Sequence, residues 1–141
     1  MRTATTIILW IVRVAGVLQL LSGALFWAGR GSDYVPLHVV IGVSIVLALW
    51  TLAVFAFVVR TRTGLAVFAV IWGLALPAFG IRQAAILIGP MHWIIRVVHL
   101  LMGLFALGMA IPLCRAILAA APRDVQRPER EQGGVAASRV Q

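Results

Sequence analysis

Four long stretches without a formal charge limit what this chain can become more than any motif does. Residues 14 to 29, 34 to 59, 63 to 81 and 97 to 114 contain no Arg, Lys, Asp or Glu. Extended over flanking apolar residues, they give spans near residues 4 to 28, 35 to 59, 63 to 84 and 95 to 118. Each is long enough to cross a bilayer as a helix, because roughly 20 residues span the hydrocarbon core. A tilted barrel strand needs only roughly 10 residues and alternates apolar with polar, a pattern these runs lack. The 141 residues are 62% hydrophobic and 11% charged, which describes an integral membrane protein and not a soluble domain. The expected fold is therefore all-α, an integral membrane four-helix bundle over residues 1–118. Residues 119–141 lose hydrophobic periodicity and mix charge with Pro and Gly, so they read as a flexible cytoplasmic tail. The first run is read as a span and not as a cleaved leader, since Arg13 interrupts it and no convincing A-x-A site follows the run from Val14 to Gly29.

The net charge of +8 comes from twelve arginines and no lysine. They do not form a basic face suited to nucleic acid; their distribution follows topology. In a four-span chain Arg2, Arg13, Arg60, Arg62, Arg115, Arg123, Arg127, Arg130 and Arg139 fall on one side, and Arg30, Arg82 and Arg96 on the other. The positive-inside rule then puts both termini in the cytoplasm, with a bacterial-type plasma (inner) membrane as the expected location. The single cysteine, Cys114, reads as a small buried apolar residue.

Two histidines stand inside the apolar runs, each followed four residues later by glycine: His38-Val-Val-Ile-Gly42 and His99-Leu-Leu-Met-Gly103. An imidazole in lipid must bond to something, and ionisable side chains there are functional-site candidates facing the bundle interior. Glycine one turn away on the same face leaves room for a flat macrocycle beside the imidazole, so the pairing suggests a haem. There is no C-x-x-C-H, so any such haem is held non-covalently.

The chain also divides into two hairpins of related design. Gly16 and Gly23 are matched by Gly73 and Gly80, and the following arms carry the two His-x-x-x-Gly units. Gly23 and His38 are centred on Arg30-Gly31, and Gly80 and His99 on Gly89-Pro90, both plausible turns. Within each hairpin a glycine and a histidine are thus level, roughly 10 to 15 Å below the tip at 1.5 Å per residue. His92, Arg96, His99 and Gly103 recur at helical spacing and share a stripe that faces inward if His99 does. Arg96 and Arg82 then stand above the glycine–histidine level, where bidentate guanidiniums suit carboxylate propionates. Asp33 is the only acid on that side to compete with them. Gln19 shares a face with Gly16 and Gly23 and is expected to hydrogen-bond within the bundle.

On these residues the four spans resemble membrane-bound b-type cytochromes, the cytochrome b561 and cytochrome b superfamily. The resemblance implies that His38 and His99 are axial ligands, that Gly23, Gly42, Gly80 and Gly103 face the porphyrin, and that the role is one-electron transfer. Two-haem members carry a second histidine further along each ligand helix. Here the corresponding regions, around Thr51-Leu52 and Pro112-Leu113, have none, so the resemblance supports one haem b per chain. Such a chain is an electron carrier or subunit and not a stand-alone enzyme, working with a quinol or a redox partner protein, alone or as a homo-oligomer. Two other readings stay open. One is a haem-free small membrane subunit or scaffold whose histidines are interhelical hydrogen-bond partners. The other is a metal or small-molecule transport or sensing protein using His38, His92 and His99 for copper or zinc.

Overall fold

The computed structural model describes residues 1–121, and the tail expected over residues 119–141 lies outside them beyond Ala121. Four helices fill the described chain: α1 Arg2–Trp27, α2 Val35–Val58, α3 Thr63–Arg82 and α4 His92–Ala120. All four are long and apolar enough to cross a membrane. The fold is the expected all-α four-helix membrane bundle, with α4 running two residues past the expected boundary at 118. Short 3-10 turns at Ser32–Tyr34 and Gln83–Ala85 complete the two hairpins.

The turns form where backbone geometry allows them. Gly29 has φ +70° and ends α1 with a bond from Arg30 N–H to the Leu25 carbonyl at 3.0 Å. Such a left-handed residue just past a helix is the usual way to satisfy its last carbonyls. Gly89 turns the second hairpin at φ +107°, a conformation that side chains with a Cβ rarely adopt. The α2–α3 connection uses the same device without glycine: Arg60, at φ 51°, lets Thr61 N–H reach the Ala56 carbonyl at 2.9 Å.

The helices follow one another around the bundle, and α2 and α4 also touch across its diagonal. Packing is uneven along the bundle axis. Nearly all buried residues lie in the half nearer the termini: Val12 and Gly16 on α1, Ile45 to Ala56 on α2, Ala66 to Gly73 on α3, and Ala106 to Ile117 on α4. Ala53, Ala56, Ala66, Ala69 and Ala110 are almost completely covered there. Lipid tails are as apolar as leucine, so these helices gain little from apolar burial itself. Small residues instead let backbones approach and build dispersion contacts. Arg2 helps close this end by donating from Nη1 to the Leu118 carbonyl, which brings a cation to the C-terminus of α4. The two ends of the described chain therefore meet on one face.

Two tryptophans join helices. Trp50 Nε1 donates to the Val70 carbonyl at 3.3 Å, and Trp72 Nε1 donates to the Met102 carbonyl at 3.0 Å. Gly73 makes the first possible, because a Cβ there would run into the Trp50 indole. Gly73→Leu is expected to lower stability by about 1–3 kcal/mol through overpacking. Gly64→Leu, at a position with open space, is expected to be nearly neutral. Thermal unfolding of both variants in detergent checks the pair.

Candidate functional site

In the half of the bundle nearer the hairpin tips the interior is no longer a close-packed array of alanine and leucine. Gln19, Ser22, His38, Gly80 and His99 are all half-buried there. His38 on α2 leans on α1: its Nε2 is 2.9 Å from Gln19 Nε2, and its Nδ1 is 2.7 Å from Ser22 Oγ. Gln19 and Ser22 are three residues apart and so share a helix face. Ser22 also bonds back to the Gln19 carbonyl at 3.0 Å. Both nitrogens of His38 therefore have partners, as an imidazole in a low-dielectric interior requires.

His99 on α4 is placed differently. Its ring stacks on Phe79 of α3, with centroids 6.0 Å apart and planes inclined by 10°. Its Nδ1 is buried without a hydrogen-bond partner among the described residues. The Cε1 edge points at Gly80, where a Cβ would come within 3.1 Å of it. The two imidazoles meet across the diagonal with centroids 6.5 Å apart and planes tilted by 44°, while Phe26 of α1 lies edge-on to His38 at 5.1 Å. Each helix thus supplies one ring to a four-ring layer: Phe26, His38, Phe79 and His99.

The glycines expected around the histidines divide into three kinds. Gly80 touches His99. Gly42 lies against the Gln19 amide, 3.1 Å from where its own Cβ would stand, so it admits the side chain that holds His38. Gly23 and Gly103 face open space. The stripe expected to carry Arg96 and Gly103 inward is rotated. The inward face of α4 runs through Ile95, His99, Met102 and Ala106, which leaves Arg96 exposed at its margin. Ile95 and Met102 are i−4 and i+3 to His99, and Arg96 and Gly103 are i−3 and i+4, so helical spacing allows either pair to flank it; packing against the neighbouring helices turns the Ile95 side inward. Arg82, the last residue of α3, is exposed as well.

His92 does not join the pair. Its Nδ1–H donates to the Ile86 carbonyl at 3.1 Å and ties the start of α4 to the preceding loop. Among the described residues no three His, Cys, Asp or Glu side chains gather as a metal-holding group, so the three-imidazole copper or zinc site is not assembled. Arg13 lies over the Trp10 ring at 5.3 Å, a cation–π contact on the membrane-facing side of α1.

Ser22, Phe26 and Phe79 were not foreseen from the sequence. The spacing of Gln19, Ser22 and Phe26 at i, i+3 and i+7 was the available signal for α1, and nothing local marks Phe79. Compared with known proteins, the chain matches no family model, no curated protein and no solved structure. Gly80→Leu is expected to displace the His99 ring from Phe79 and shift its Hε1 resonance. Gly23→Leu should leave that signal in place, and proton NMR of the histidine ring signals distinguishes the two.

Proposed function

We propose that the chain is a membrane b-type haem protein that passes single electrons through one non-covalent haem held by His38 and His99. The observation that carries this reading is the pair of imidazoles 6.5 Å apart across the bundle diagonal. Two imidazoles from different helices brought to one level are the ligand set that would hold a single haem iron. Further support comes from the unpartnered Nδ1 of His99, whose ring Gly80 admits against α3. Gly23 and Gly103 leave adjoining space unfilled, whereas Gly42 serves Gln19 and drops out of the porphyrin-facing set.

On this reading His38 and His99 would hold the haem iron. Gly80, Gly23 and Gly103 provide clearance, and Phe79 holds the His99 ring flat against α3. Arg82 and Arg96, exposed near the hairpin tips, are the cations available to propionates. A bound haem supplies a one-electron iron couple. One such group near one face does not carry an electron across the bilayer alone, so a quinol or a redox partner protein completes the path. The nine-to-three division of arginines supports cytoplasmic termini in a bacterial-type inner membrane, with the histidines toward the outer side. The haem-free subunit is favoured by one specific observation, the complete pairing of His38 by Gln19 and Ser22. The unpartnered nitrogen of His99 weighs against it, since a purely structural histidine in lipid gains nothing from an unmet bond.

Protein purified in mild detergent from haem-replete cells is expected to carry about one haem b with a six-coordinate low-spin reduced spectrum. His38→Ala or His99→Ala should abolish that spectrum or make it five-coordinate, and a colourless, folded wild-type protein would overturn the proposal. Reporter fusions in the loop at Arg60 and after residue 141 are expected to register the cytoplasm; an external reading at either would reverse the orientation.

A further inference from the structure

The hydrogen bonds around His38 can be assigned by counting protons. Ser22 has one hydroxyl proton and two acceptors within reach: the Gln19 carbonyl at 3.0 Å and His38 Nδ1 at 2.7 Å. Suppose first that the proton goes to the carbonyl. The Ser22 oxygen then accepts from Nδ1–H, and a neutral imidazole is left with its lone pair on Nε2. The Gln19 amide, 2.9 Å away, donates to that lone pair. Three bonds form, and the Gln19 Oε1 and the second hydrogen of its amide lack a partner among the described residues.

Suppose instead that the hydroxyl proton goes to Nδ1. Nε2 then carries the hydrogen, the Gln19 amide must turn its oxygen toward it, and only two bonds form. The whole NH2 group of Gln19 is then left unpaired in the interior. Unmade bonds are the expensive ones in a low-dielectric site, so the first arrangement wins.

We propose that Ser22 and Gln19 are the positioning residues of His38: Ser22 fixes the Nδ1–H tautomer and thereby presents the Nε2 lone pair, and the Gln19 amide caps that lone pair until a metal takes it. Both reach His38 from one face of α1, and Gly42, one turn from His38 on α2, makes room for the amide. A partner on the far nitrogen sets which nitrogen of a histidine ligates and how basic it is. The tautomer stands on its own; the exchange of Gln19 for a metal rests on the haem reading above.

The test has two arms. In protein from haem-starved cells, nitrogen-15 NMR of the histidine side chains, assigned with a His38→Gln variant, is expected to show His38 protonated on Nδ1. Ser22→Ala should move the proton to Nε2, and Ser22→Thr, which keeps the hydroxyl, should restore it. A wild-type His38 protonated on Nε2 overturns the assignment even if Ser22→Ala fails to fold. In the second arm, haemin is titrated into the same proteins. Ser22→Ala should weaken binding about tenfold or more, and the haem it takes up should have a higher midpoint potential, because the ligand has lost the acceptor that made it more basic. Gln19→Leu, which removes the competing donor, should bind at least as tightly as wild type. Equal weakening in Gln19→Leu and Ser22→Ala overturns the capping role. A wild-type protein that binds no haemin overturns the haem reading and the exchange that rests on it, while the NMR arm still decides the tautomer.

Discussion

The interior of this bundle is organised around the difficulty of keeping an imidazole in hydrocarbon. Water cannot supply the missing hydrogen bonds, so each ring nitrogen needs a partner from the protein or from something the protein binds. His38 meets that requirement completely: Gln19 and Ser22 approach its two nitrogens, both from α1. His99 does not, and its Nδ1 is buried without a partner against α3. Two residues at equivalent places in two related hairpins therefore differ in how their ring nitrogens are satisfied.

The rest of the fold holds that level in place. A close-packed half near the termini, built from alanine, leucine and glycine, draws the four backbones together and supplies most of the dispersion energy. Trp50 and Trp72 lie near the middle of the bundle, each spending its indole N–H on a carbonyl of a neighbouring helix. Beyond them small residues serve clearance instead of contact: Gly80 yields to the His99 ring, Gly42 to the Gln19 amide, and Gly103 faces open space. One residue type thus does opposite things in the two halves, depending on whether a neighbour fills the gap.

Much of this was legible beforehand. The charge-free runs, extended over flanking apolar residues, located the helices to within three residues at each end, and the centring of Gly23 with His38 and of Gly80 with His99 located both turns. The levelling of histidine with glycine is visible in the contact of His99 with Gly80, and in that of His38 with Ser22, the neighbour of Gly23. The rotation of the helices was not legible. Arg96 was expected to share the inward stripe of His99 and is exposed, and Gly23 was expected to face inward and meets nothing.

The reason separates what sequence can decide from what it cannot. Helix length, turn position and membrane residence depend on hydrophobicity and local backbone preference, which are properties of short segments and can be read along the chain. A helix that is apolar on every side has no preferred face. Which of its residues turns inward is decided by the neighbours it packs against. The sequence alone therefore determined four membrane-length helices in two hairpins with a histidine level in each. Only the tertiary structure decided that α2 and α4 meet across the diagonal, that α1 supplies both partners of His38, and that His99 is left with an unmet nitrogen.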